Sequence, residues 1–122
     1  MVTRPTLTTK AAVRRIAKAL MEFAKEQGWR KDQYELLFHV QEDWGRITVM
    51  LVAEDFGGRS DREMWDLVYN YLERSLKQEG DIGFSVGLAV REKSQVERGG
   101  LYSIPDTYVE VADLLPASSL DE

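Results

Sequence analysis

His39 is the sole histidine of the chain, so any Ser-His pair, histidine-bound metal or imidazole general base has to be built around it. It sits in Tyr34-Glu35-Leu36-Leu37-Phe38-His39-Val40, on the side opposite the alternating Tyr34, Leu36, Phe38 and Val40, where a half-exposed strand histidine explains it without chemistry. There are no cysteines, which removes thiolate nucleophiles, cysteine-bound zinc or iron–sulfur clusters and disulfides together. Glu54, Asp55, Asp61 and Glu63 gather carboxylates around Gly57-Gly58, and carboxylate oxygens are what a hard cation takes, but their spacing is not that of a calcium loop. Gly57-Gly58-Arg59-Ser60 at a helix start offers free N–H groups to a phosphate. The spaced second glycine and the Lys-Ser/Thr pair of a P-loop are missing, and the neighbouring acids repel an anion. With no catalytic constellation, metal-ligand set or cofactor motif, the expectation is a protein that is not an enzyme and uses no cofactor.

The elements that would position these residues are set by periodicity and caps. Ser60 and Glu63 form a capping box, hydroxyl to the Glu63 N–H and carboxylate to the Ser60 N–H, so a helix starts there. Its stripe of Met64, Trp65, Val68, Tyr71, Leu72 and Leu76 runs to about Gln78, with Gly80 as the stop. Ile47–Ala53 and Tyr34–Val40 alternate as strands, and Glu42-Asp43-Trp44-Gly45 is a turn of hairpin length, so the two pair antiparallel. Trp44 at that tip either folds back over the sheet or stands free as an anchor for a partner. An earlier helix, capped by Thr8 or Thr9 and stopped by Gly28, buries Val13, Ile16, Ala17, Leu20, Phe23 and Ala24.

A third strand is read over Ile82–Val90, with Ile82, Phe84, Val86, Leu88 and Val90 facing one way and Gly83, Ser85, Gly87 and Ala89 the other. A face of small residues admits a close neighbour, favouring a helix of the same molecule, with a subunit contact as the sharper alternative. Residues 91–100 are polar and end in Gly99-Gly100, which reads as a mobile loop. Leu101–Ile104 and Thr107–Val111 suggest a last irregular strand broken by Pro105. The ends, 1–7 and 117–122, are expected to be disordered.

The expected fold is therefore α+β, one domain over 1–122, with two main helices packed on a mixed sheet of three strands, or four if the C-terminal segment joins, in the order α-β-β-α-β-(β). No apolar run approaches the roughly 20 residues that span a bilayer, and no secretory leader is evident, so the expected location is cytoplasmic and no membrane contact is expected. Charge is divided: residues 1–31 hold eight Lys or Arg against two Glu, a net +6, and with a total of −5 the remaining 91 residues carry −11.

The order of elements, together with Phe56, Gly58, Ser60, Val68 and Tyr69 at matching spacing, resembles the BolA family, whose fold is related to class II KH domains. The resemblance covers residues 34–90 and implies a strand, a Ser/Asp-rich turn and F-x-G-x-S opening a helix. Met64 and Trp65 stand where the family has Arg-His, and Phe84 and Ser85 lie in the region of its later histidine. The glutaredoxin partnership that the family implies is therefore not carried over; the architecture is.

The functional expectation is a non-catalytic interaction protein acting through a protein partner or as a homodimer, with Trp44, Gly83, Ser85 and Gly87 as contact residues. A nucleic-acid-binding KH-like or BolA-like module using Arg14, Arg15, Lys18 and Lys25 is the alternative, disfavoured by the acidic body. A small acidic dimeric chaperone of the secretion type is a further one, resting on size, acidity and element order.

Overall fold

The computed structural model of the chain describes residues 8–78 and 83–115. The expected disordered ends, the Gly80 stop and Ile82 lie outside the described residues.

Helix α1, Thr9–Glu26, begins where the Thr8 hydroxyl accepts the Ala11 N–H at 3.1 Å. It ends in a Schellman motif: Trp29 N–H reaches the Ala24 carbonyl at 2.9 Å and Gly28 N–H the Lys25 carbonyl at 3.0 Å. Gly28 takes φ +79°, a region costly for any residue with a Cβ, which is why a glycine stops the helix here. Strands β1, Tyr34–Gln41, and β2, Arg46–Ala53, pair antiparallel with Phe38 opposite Val49. They are joined by one 3₁₀ turn, Glu42–Trp44, and a left-handed Gly45.

Helix α2, Asp61–Gln78, carries the chain across to β3, Ser85–Glu92, which lies parallel to β2. The short α3, Lys93–Arg98, follows; then β4, Val109–Glu110, pairs antiparallel with β1, and α4, Val111–Leu114, turns away. The result is the expected α+β class, with a four-stranded mixed sheet in the order β3-β2-β1-β4.

The period-2 pattern of the strands and the stripes of the helices meet in one core. Ile16, Leu20 and Phe23 of α1 and Met64 and Val68 of α2 pack on Phe38, Ile47, Val49 and Leu51 of the sheet, all fully buried. Burying each such side chain contributes about 1.5–3 kcal/mol, so this face outweighs every single polar contact. Two polar ties register α1 on α2: Tyr71 donates to the Glu26 carboxylate at 2.6 Å, and the Arg15 guanidinium donates to the Leu76 carbonyl at 3.0 Å, near the negative end of α2.

Three local expectations are corrected. β3 starts at Ser85, because Gly83 adopts φ +80° and lies ahead of the strand, so it does not share a sheet face with Ser85 and Gly87. Residues 91–100 are not a loop throughout: β3 continues to Glu92 and α3 follows. That helix is fastened by Gln95, whose Oε1 accepts the Glu92 N–H at 2.8 Å and whose amide nitrogen lies 3.0 Å from both oxygens of Asp61. The C-terminal strand shrinks to Val109–Glu110, with Gly100–Tyr102 forming a 3₁₀ turn.

Candidate functional site

The second face of the sheet divides into a covered half and an open half. Leu37, Met50 and Val52 are buried there under Val96 of α3 together with Ile104, Tyr108 and the neighbouring Ala89. At the other end, Gln41 and His39 of β1, Arg46 and Thr48 of β2, and Ser85 and Gly87 of β3 share the same face by register, and all are half-buried or exposed. The long helices lie on the opposite face. The helix expected over the small-residue stripe is therefore present only as short α3 at its Ala89 end.

At Ser85 and Gly87 a side chain takes that helix's place. A Cβ on Gly87 would come within 2.9 Å of Arg46 Nη2 and 3.3 Å of Thr48 Oγ1, so the guanidinium lies against the glycine, and the missing side chain makes room for it. Ser85 N–H donates to the Gly45 carbonyl at 2.8 Å, which ties the hairpin turn to the start of β3. Trp44 does not fold back: it is 80% exposed at the rim of this platform. Three of the four expected contact residues, Trp44, Ser85 and Gly87, are thus gathered at one end of the sheet, and Gly83 stands just before the strand. What the platform offers is an exposed indole on the turn, a guanidinium laid against Gly87 and a polar sheet surface.

The other candidates are accounted for differently. His39 Nδ1 lies 3.4 Å from the Thr107 carbonyl and its ring 5.6 Å from that of Tyr108, a strand histidine against a neighbouring loop. Around the Gly57-Gly58 turn, Asp55 accepts the Gly57 N–H at 2.9 Å, Asp61 holds Gln95, and Glu63 accepts the Ser60 N–H at 3.0 Å while Glu63 N–H donates to the Ser60 hydroxyl at 3.1 Å. The backbone and side-chain bonds from Ser60 hold the Glu63 carboxyl below its ordinary range. Of the basic residues on α1, Arg15 is occupied at the end of α2, Arg14 and Lys18 are half-buried and Lys25 is exposed, so they do not form one free stripe.

A feature that sequence reasoning missed is a cleft of about 630 Å³ at the far end of the sheet, bounded by the start of β1, the end of β2, Lys93 at the head of α3, and the β4–α4 junction. Glu35 and Glu110 both line it, Glu110 paired opposite Leu37 and Glu35 two residues along the same face of β1. Partial burial first, then the Glu110 carboxylate, pushes the Glu35 carboxyl up, and Lys93 pulls it back down. Tyr34, also lining the cleft, is raised by burial. No period or motif joins residues 35 and 110; only the pairing of β4 with β1 does.

Among the described residues no helix is long and apolar enough to cross a membrane. No family model, curated protein or solved structure matches the chain.

Proposed function

We propose that this chain is a non-catalytic interaction module of the cytoplasm, acting through protein–protein contacts, a second copy of itself included, made at the Trp44 end of the open sheet half. The observation that carries the reading is Trp44, 80% exposed on a turn tied to β3 and adjoining the Arg46–Gly87 contact. A large exposed indole brings no benefit to the fold, and Trp and Arg at a well-packed patch are the residue types that dominate binding energy. Kinship with BolA-like folds belongs to this proposal for architecture alone. Nucleic-acid binding through α1 has less behind it, because Arg15 is already engaged and a body carrying −11 repels phosphate.

The test pairs light scattering with affinity capture, on the wild type and on Trp44→Ala. The wild type is expected to self-associate or to retain a specific protein, and the substitution to weaken that contact by at least about tenfold. Its denaturation midpoint should stay put, since the side chain buries little. A wild type that is strictly monomeric and retains nothing would contradict the reading, as would a variant that binds equally well.

A further inference from the structure

The cleft beside Glu35 lies where the sheet is left unfinished. β4 pairs only with Leu37 and Phe38, and the chain then coils into α4 at Val111. Among the described residues no strand lies along the outer edge of β1 from Tyr34 to Leu36. An edge without a strand presents backbone donors and acceptors, and here it opens into a cavity of about 630 Å³ rather than onto a flat surface. Its apolar lining divides by face, with Met21, Leu36 and Val111 on the side of the main core and Val52 on the face of Glu35. The rim is acidic: Asp32, Glu35, Glu54 and Glu110 stand against Lys31 and Lys93, a net −2.

From this geometry we infer that the cleft binds an extended basic peptide segment, whose backbone adds as a short strand along Tyr34–Leu36 and whose Lys or Arg side chain seats its charge between Glu35 and Glu110. Each part of the cleft has a role in that mode. Strand addition supplies affinity through main-chain hydrogen bonds, while alternate side chains enter pockets and set specificity. The aliphatic stem of a lysine or arginine lies against the apolar lining on the Glu35 face, and its head answers the like charges of Glu35 and Glu110. The rest of the body, net acidic, attracts a basic segment from a distance. This site is at the opposite end of the sheet from Trp44 and stands independently of it.

The test uses the full chain and a peptide of alternating valine and lysine with blocked ends, followed by amide NMR shifts and by fluorescence anisotropy. The expected result is a shift of the Tyr34–Leu36 amides, binding that weakens with added salt, and a loss of about tenfold or more in Glu35→Gln/Glu110→Gln. Lys93→Gln should bind more tightly than the wild type, a gain that damage to the fold would not produce. Four results would overturn the inference. These are no binding of the basic peptide, equal binding of a valine–glutamate peptide, undiminished binding of an N-methylated analogue that lacks the backbone donors, and full competition by a simple alkylamine, which would make the cleft an amine pocket.

Discussion

Ser60 shows how far a single side chain can be read from sequence to energetics. Its spacing from Glu63 predicts reciprocal bonds, and both are present, at 3.1 and 3.0 Å. Ser60→Ala should lower stability by about 1 kcal/mol in urea denaturation, and Ser60→Gly by less. Equal stability in Ser60→Ala would contradict the cap. The Glu63 carboxyl is held below its ordinary 4.5, so its contribution is present above that value and disappears as the pH falls through its folded value.

Tyr71 titrates at the opposite end of the scale. Its bond to Glu26, followed by burial and the charges of Glu26 and Glu22, pushes the phenol from 10.0 to about 12, against the pull of Arg74. Below pH 10 the phenol is protonated in both states and the tie between α1 and α2 contributes fully; between about 10 and 12 the unfolded phenol ionises first, so stability falls. Wild type should therefore lose more stability across that window than Tyr71→Phe, in denaturation curves taken at each pH. Equal slopes would contradict the tie. Tyr69, raised by its own bond to Glu73, is common to both proteins and cancels in the comparison.

At the scale of elements, what was legible had either a repeating pattern or a cap made of the usual residues. α1, β1, β2 and α2 fall where Val13–Ala24, Leu36–Val40, Ile47–Leu51 and Met64–Leu76 repeat at helical or strand spacing. α3 was not legible because Val96 is its sole apolar residue and it is held by a long-range amide, Gln95 to Asp61 on α2, which no local rule reports. Gln95 is 7% exposed and bonds to two elements, so Gln95→Ala should cost about 1–3 kcal/mol by leaving the Glu92 N–H and the Asp61 carboxylate without it. A change below about 0.5 kcal/mol in chemical denaturation would mean that these groups are satisfied by water and α3 is only lightly fastened. The candidate sites divide in the same way. Trp44, Ser85 and Gly87 were visible as residues out of keeping with a plain hairpin and strand. The cleft was not, since Met21, Glu35, Val52, Lys93 and Glu110 come from five separate elements and meet only through the sheet order.

For the molecule as a whole, one sheet face is spent on the two long helices and the other is closed only half way, so the fold leaves surface available at the Trp44 end of that second face and, separately, along the outer edge of β1. Besides Trp44, Leu101 is a large exposed apolar residue, 96% exposed on the turn that follows α3. On the proposed function, the Trp44 platform meets another protein. The most direct measurement of that contact is photo-crosslinking from a benzophenone amino acid placed at position 44, with the same group at Lys77, an exposed position on α2, the helix packed on the other sheet face, as control. An adduct unique to position 44, either a covalent dimer of the chain or one discrete partner, is the predicted result. No adduct at 44 beyond those formed at 77 would contradict the account.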